Sequence, residues 1–139
     1  MQTSVVRLGV ASIVALAMAA CSSSSGPSSS SGASSPTTPP SDATATNTIT
    51  ISNSVVTPKN IKVARGSQVT FINNDNQSHM MNSDPHPDHT DCPEINQVGF
   101  LNPGESRQTG NMTSNRSVCG FHDHNLPNVA GLQRSITIQ

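Results

Sequence analysis

The fold class is decided by a strand-turn-strand stretch, Ile61-Lys62-Val63-Ala64-Arg65-Gly66-Ser67-Gln68-Val69-Thr70-Phe71-Ile72. On both sides of the turn residues Arg65-Gly66-Ser67, apolar residues alternate with polar ones. Alternation with a period of two is typical of a half-buried β-strand. The stretch therefore predicts two short strands joined by a turn, with Val69 and Phe71 on the same face of the second strand.

The rest of the domain repeats this pattern. Thr48-Ile49-Thr50-Ile51 and Ser135-Ile136-Thr137-Ile138 alternate cleanly, Ser117-Val118-Cys119 is typical of the end of a late strand, and Asn102-Pro103-Gly104-Glu105 predicts a turn. No helical period persists anywhere in this part of the chain. Residues 48 to 139 are therefore predicted to form one all-β domain of the sandwich type, in which residues 78 to 98 form a long loop without a strand.

The first part of the chain predicts export rather than a packed core. Leu8 to Ala20 form an apolar run that is too short to span a bilayer comfortably, so residues 1 to 20 are interpreted as a signal peptide. The run ends in Met18-Ala19-Ala20-Cys21, which resembles the lipobox of bacterial lipoproteins and implies lipidation of Cys21. An ordinary secretory signal is the alternative. Ser22 after the cysteine fits an outer-membrane destination on the periplasmic face if the cell is Gram-negative.

Residues 21 to 47 consist mainly of Ser, Thr, Pro, Gly and Ala, so they lack the apolar bulk needed to offset the entropy of ordering. We interpret them as a disordered linker between a lipid anchor in the bacterial cell envelope and the domain. The whole chain has a formal net charge of -1 and no basic cluster, which argues against nucleic acid as a partner. We expect a monomer.

Side chains that bind soft or borderline metals are concentrated in one part of the sequence. All five histidines lie between positions 79 and 124, together with both cysteines that follow Cys21. The densest group is Val118-Cys119-Gly120-Phe121-His122-Asp123-His124, which offers a thiol and two imidazoles within six residues. This composition suits copper or zinc. Asp84, Asp88 and Asp91 are candidates to orient imidazoles by accepting their N–H groups.

Residues 48 to 139 resemble the cupredoxins, the blue-copper family with a Greek-key β-sandwich. The resemblance is carried by residues 55 to 75 followed by His79, by the turn Leu101-Asn102-Pro103-Gly104-Glu105-Ser106, and by a cysteine strand with histidine and a terminal Ile-x-Ile. It implies a copper cofactor, Cu⁺ or Cu²⁺, and one-electron transfer to a redox partner protein. It does not imply an enzyme.

Carried over by position, the resemblance implies His79 as the first copper ligand, Cys119 as the thiolate, and His122 or His124 as the second imidazole. The loop spacing allows either of these two histidines. The position that matches the family's axial Met is Leu132, and leucine cannot bind a metal.

A disulfide is the competing hypothesis. An exported domain with two cysteines, Cys92 and Cys119, is most simply cross-linked, and a disulfide would leave no thiolate for copper. The histidines would then form a nitrogen-only site, to which His86 and His89 are further candidate ligands. In a strand, His122 and His124 would point to the same face.

The disulfide hypothesis predicts a copper-binding lipoprotein that serves metal homeostasis, with a copper donor or acceptor as partner. Gly120-Phe121-His122-Asp123-His124 also resembles an element of copper-zinc superoxide dismutases, although there the element lies early in the chain. Dismutase activity is the weakest of the three hypotheses.

Overall fold

The computed structural model describes residues 41–139, which form ten β-strands and two 3-10 helices, with no α-helix in this range. The strands are β1 Thr44–Ala45, β2 Thr48–Ser52, β3 Val55–Thr57, β4 Asn60–Val63, β5 Thr70–Asn73, β6 His79–Ser83, β7 Gly99–Leu101, β8 Ser106–Gln108, β9 Val118–Asp123 and β10 Arg134–Ile138. The 3-10 helices are Ile95–Gln97 and Ala130–Leu132. The predicted signal peptide, Cys21 and most of the predicted linker lie outside the described residues. No described helix is long and apolar enough to cross a membrane.

The strands form two mixed sheets. The larger sheet has the order β1-β4-β10-β9-β6-β7, and the smaller sheet has the order β3-β2-β5-β8. The chain crosses repeatedly between the sheets, for example from β3 to β4 and from β5 to β6. Within the larger sheet, β9 lies between β10 and β6 and is antiparallel to both. This central place makes β9 a rigid support for the residues it carries.

The core lies between the sheets and is built from alternate strand residues. Val69 and Phe71 are fully buried, as the alternation predicted. Phe71 on β5 meets Phe121 on β9 edge to face, with ring centroids 5.2 Å apart. Since β5 and β9 belong to different sheets, this aromatic pair joins the two layers of the sandwich.

The prediction of an all-β sandwich is confirmed, but two details were wrong. Residues 78 to 98 are not strandless, because β6 spans His79–Ser83 and pairs with both β7 and β9. The sequence His-Met-Met-Asn-Ser has no alternation, since four of its five residues are buried and both faces of this inner strand are covered. The ordered sheet also starts before residue 48, because Thr44–Ala45 pairs in parallel with β4. Both residues of β1 are exposed, so no hydrophobic pattern marks this strand.

The aromatic pair gives a prediction about stability. Replacing Phe71 by Ala should lower the free energy of unfolding by about 3–5 kcal/mol, because it removes a buried ring that contacts the opposite sheet. Phe100→Ala is the matched control, since Phe100 is exposed on β7 and its loss should cost within about 0.5 kcal/mol. Urea unfolding followed by circular dichroism measures both. Equal costs for the two variants would contradict this packing.

Candidate metal centre

Four imidazoles meet on one side of the larger sheet. One nitrogen from each of His86, His89, His122 and His124 lies within 4.8 Å of the other three. Within residues 41–139, these four histidines are the one group of three or more His, Cys, Asp or Glu side chains whose donor atoms converge in this way. We call these four residues the histidine cluster. His86 is exposed, His89 and His124 are half-buried, and His122 is buried.

The cluster combines two pieces of chain. His122 is the last outward-facing residue of β9, and His124 directly follows the end of the strand. The backbone N–H of His124 donates to the carbonyl of Met80 at 2.7 Å. His86 and His89 come from the loop between β6 and the 3-10 helix Ile95–Gln97. Both His122 and His124 contribute a nitrogen to the cluster, although His124 lies just beyond the strand in which the two were predicted to share a face.

The two faces of β9 have different roles. Cys119, Phe121 and Asp123 are fully or almost fully buried, as expected for residues that face the sandwich core. Gly120 and His122 alternate with them and lie on the other face, under the loop that carries His86 and His89. The loop therefore covers the outer face of the sheet, and the histidine cluster lies between the two.

Hydrogen bonds orient two of the imidazoles. Nδ1 of His122 donates to Oδ1 of Asp84 at 2.6 Å, and Nδ1 of His89 donates to the backbone carbonyl of Ser83 at 2.7 Å. In a neutral ring this leaves the lone pair on Nε2. Nε2 of His89 faces Nδ1 of His124 at 2.8 Å, whereas Nε2 of His122 is buried without any hydrogen-bond partner. A buried nitrogen lone pair without a donor is what a metal ligand requires.

The electrostatic environment favours the metal-binding form of the outermost ring. Partial desolvation, followed by the charges that His124, His122 and His89 carry when protonated, lowers the pKa of His86 below its ordinary value. A lowered pKa means that His86 is neutral at pH 7. Neutral imidazole is the form that binds a metal ion.

The structure places Cys119 in a disulfide with Cys92, with a Cα–Cα distance of 5.8 Å and a separation of 27 residues along the chain. Both cysteines are fully buried. The disulfide fastens the loop to β9, since Cys92 lies three residues after His89 and Cys119 lies three residues before His122. The predicted thiolate ligand is therefore wrong, because the sulfur of Cys119 is already bonded.

His79 is also absent from the histidine cluster. Its Nδ1 lies 2.7 Å from Oδ2 of Asp123, and its Nε2 lies 3.0 Å from Oδ2 of Asp75. Each ring nitrogen lies within hydrogen-bond distance of a carboxylate oxygen, so both nitrogens are already engaged and neither is free to bind a metal. The prediction of His79 as the first ligand is thus corrected: this fully buried ring joins two carboxylates.

The carboxylates around His79 tie together one end of the sandwich. Burial raises the pKa of Asp75, but hydrogen bonds from the backbone N–H groups of Ser54 and Asn53 and from His79 outweigh it, so the pKa is lowered. Oδ1 of Asp123 accepts the backbone N–H of Asn125 at 2.9 Å. Asp75 and Asp123 therefore connect His79 to the backbone of neighbouring turns by hydrogen bonds and hold the imidazole in place.

Gly120 and Asp84 complete the centre. A Cβ atom at Gly120 would lie 2.0 Å from Oδ2 of Asp84, so the carboxylate that orients His122 occupies the space a side chain would need. The sequence predicted Asp84 as a partner of an imidazole, and this is confirmed. Asp91 instead pairs with Arg116 at 2.7 Å. Gly120 is the sequence signal that could have predicted this contact, because a glycine inside a strand often marks a place where another group approaches the backbone closely.

No protein-family model matches the chain, and no curated protein matches it in sequence. Solved structures do match. A purple cupredoxin from Nitrosopumilus maritimus is 17% identical, with a TM-score of 0.50 over 68% of this chain and 100% of that chain. An oxidised plastocyanin from Dryopteris crassirhizoma is 17% identical, with a TM-score of 0.50 over 66% and 99%. A reduced Cu(I) form of an amicyanin variant is 12% identical, with a TM-score of 0.51 over 70% and 85%.

The described domain has the cupredoxin fold. These identities are too low to carry a ligand set from the matched structures to this chain. Of the ligand positions that the sequence resemblance implied, Cys119 is in a disulfide and His79 is bound by carboxylates, whereas His122 and His124 both belong to the histidine cluster. Leu132, at the position implied for the axial ligand, is fully buried in the core. The candidate metal ligands of this domain are instead on the outer face of β9 and in the loop above it.

The disulfide gives a second prediction, made on the full chain with Cys21→Ser so that only Cys92 and Cys119 are counted. The unreduced, unfolded chain should show no free thiol. Replacing both cysteines by Ser should lower the free energy of unfolding by about 3–4 kcal/mol, as expected for closing a loop with a separation of 27 residues. Thiol titration in denaturant and urea unfolding test the two parts. Two free thiols in the unreduced protein would contradict the disulfide.

Proposed function

We propose that this domain is a copper-binding module that holds Cu²⁺ through the imidazoles of His86, His89, His122 and His124. The observation that carries the proposal concerns His122: its Nε2 is buried without a hydrogen-bond partner, and one of its ring nitrogens lies within 4.8 Å of a nitrogen of each of the other three imidazoles. A buried polar atom without a partner is costly in free energy. A bound cation would satisfy it.

The spacing of the nitrogens fits a single ion. Imidazole nitrogens bind a metal at about 2.0–2.1 Å, so nitrogens that share an ion lie roughly 3–4 Å apart. The 2.8 Å separation of His89 Nε2 and His124 Nδ1 is just below that range. All the nitrogen separations are within 4.8 Å, so a closure of less than about 1 Å would bring every pair into the range.

The donor set favours copper storage or delivery over electron transfer. Thiolate and thioether ligands favour Cu⁺, whereas imidazole suits Cu²⁺ and Zn²⁺. When bound, copper supplies a Lewis-acidic centre with a one-electron couple. Asp84 and the carbonyl of Ser83 hold the rings of His122 and His89 in the tautomer that presents Nε2. Because the disulfide leaves no cysteine thiolate beside β9, we propose a binding protein rather than a redox carrier or an enzyme.

The wider setting follows from the first part of the sequence. Lipidation at Cys21 and the Ser- and Pro-rich segment after it would tether the domain to a membrane of the bacterial envelope. A tethered copper site would exchange its ion with a copper donor or acceptor protein. The partner would meet the exposed side of the cluster, at His86.

The proposal predicts the behaviour of ligand variants. His86→Ala and His89→Asn should each reduce Cu²⁺ affinity by more than about 100-fold, beyond the usual 10–100-fold effect of residues outside the ligand set. Asn is chosen because His89 has a φ of 55°, which Asn tolerates. Asp88→Ala, an exposed loop change between them, is the control and should leave affinity unchanged. Competition titrations with a copper chelator measure these affinities.

The spectrum gives an independent check of the same proposal. The Cu²⁺ form should show weak ligand-field absorption only, because a nitrogen site has no thiolate charge-transfer transition at about 600 nm. Failure to bind Cu²⁺, or binding that survives the loss of His86 and His89 unchanged, would refute the histidine cluster as the site.

A further prediction concerns Gly120, which has no side chain and so leaves room for the carboxylate of Asp84. Gly120→Ala should lower Cu²⁺ affinity by about 10–100-fold, because the new methyl group displaces the carboxylate that orients His122. The fold should persist, since the displaced group is the end of a side chain. Gly110→Ala is the matched control: its Cβ would meet only the side-chain amide of Gln97, at 2.5 Å from Nε2.

Chelator competition on both glycine variants separates the outcomes. Equal copper affinity in Gly120→Ala and Gly110→Ala would show that Asp84 does not position His122 for the metal.

A further inference from the structure

A second buried atom beside the histidine cluster also lacks a partner. Asn82 on β6 is 8% exposed, and its side-chain Oδ1 is buried without a hydrogen-bond partner. Nearby Asn96 shows the normal case, since its Oδ1 accepts the N–H of Ser83 at 2.9 Å and its Nδ2 donates to the carbonyl of His89 at 2.8 Å. Asn82 therefore stands out in a region where buried amides are otherwise satisfied.

The sheet register places this atom beside the cluster. Asn82 on β6 lies directly opposite His122 on β9. Directly opposite residues of an antiparallel pair share a face, with Cβ atoms about 4.5–5.5 Å apart. The neighbouring pair, Met81 opposite Asp123, faces the core, where both residues are fully buried. Asn82 is thus on the outer face of the sheet, with the histidines.

With the Asn82 amide oriented as in the structure, the two unpartnered atoms cannot satisfy each other. Nδ1 of His122 donates to Asp84, so its Nε2 presents a lone pair, and the amide oxygen of Asn82 is also an acceptor. Two neighbouring acceptors without a donor repel each other and attract a cation. This arrangement points to a common positively charged partner.

We propose that Oδ1 of Asn82 is the fifth donor of the metal centre, next to the four imidazole nitrogens. This inference rests on the proposed copper site. Four nitrogens and one neutral oxygen suit the tetragonal coordination that Cu²⁺ prefers, whereas four-coordinate tetrahedral zinc would leave the oxygen unused. Asn82 thereby favours Cu²⁺ over Zn²⁺.

The test compares three variants of the full chain with the unmodified chain. Asn82→Leu removes the oxygen and keeps the branched shape of the side chain, Asn82→Asp keeps an oxygen at the same position, and Thr137→Val is the control. Oγ1 of Thr137 on β10 is another buried atom without a partner, but it does not belong to the cluster. Chelator competition gives the Cu²⁺ and Zn²⁺ affinities, and electron paramagnetic resonance reports the coordination of Cu²⁺.

Asn82→Leu should lower Cu²⁺ affinity at least about 10-fold, change the resonance parameters, and leave Zn²⁺ affinity nearly unchanged. Its metal-free melting temperature should stay the same or rise, because an unpaired buried oxygen is lost. Asn82→Asp should retain or exceed the original affinity. Thr137→Val should behave like the unmodified chain toward both metals.

The results distinguish this inference from the proposed function. If the unmodified chain binds Cu²⁺ through the histidines and Asn82→Leu binds it equally well with the same spectrum, the fifth donor is refuted and the histidine site stands. A loss of melting temperature in metal-free Asn82→Leu with unchanged copper affinity would assign Asn82 a structural role instead. If the unmodified chain binds no Cu²⁺, both proposals fail.

Discussion

The candidate centre depends on the bond between Cys92 and Cys119. This covalent link closes a loop across a separation of 27 residues and holds the segment with His86 and His89 against the strand that carries His122. Without it, an exposed loop would have to bring two imidazoles to the sheet at the full cost of its conformational entropy. The same bond removes both thiols from metal chemistry. One interaction therefore assembles a nitrogen site and excludes a thiolate site.

The two faces of strand β9 have different roles. Its core face carries Cys119, Phe121 and Asp123, which form the disulfide, the aromatic contact between the sheets and the bond to His79. Its outer face carries Gly120 and His122, and the small glycine leaves room for the carboxylate that orients the imidazole. The cupredoxin fold is thus retained, while the candidate centre shares only His122 and His124 with the ligands that the family resemblance implied.

Much of the sandwich could be predicted because its inner strands bury alternate side chains. Ile49 and Ile51 on β2, and Val69 and Phe71 at β5, are buried where the alternation placed them. Strand β6 could not be predicted in this way, since it is covered on both faces and lacks a period of two. The register of this missed strand is what places Asn82 beside His122, so no argument from the sequence alone could reach that contact.

The site was predicted in part for equally physical reasons. The spacing of two between His122 and His124 suggested that their side chains lie close together, and both contribute a nitrogen to the cluster. The number of cysteines left a disulfide open beside the thiolate that the family resemblance favoured, because pairing depends on a loop path that no local pattern specifies. His79 matched a family position, but its role is determined by Asp75 and Asp123, one of them 44 residues away along the chain.

The claim that copper binds to imidazoles and not to sulfur can be tested directly by X-ray absorption at the copper edge, on the unreduced full chain loaded with one equivalent of Cu²⁺. The account predicts a first shell of nitrogen and oxygen atoms only, at about 2.0 Å, with the outer-shell scattering typical of several imidazole rings. A sulfur scatterer at about 2.1–2.3 Å would contradict it and return Cys119 to the metal.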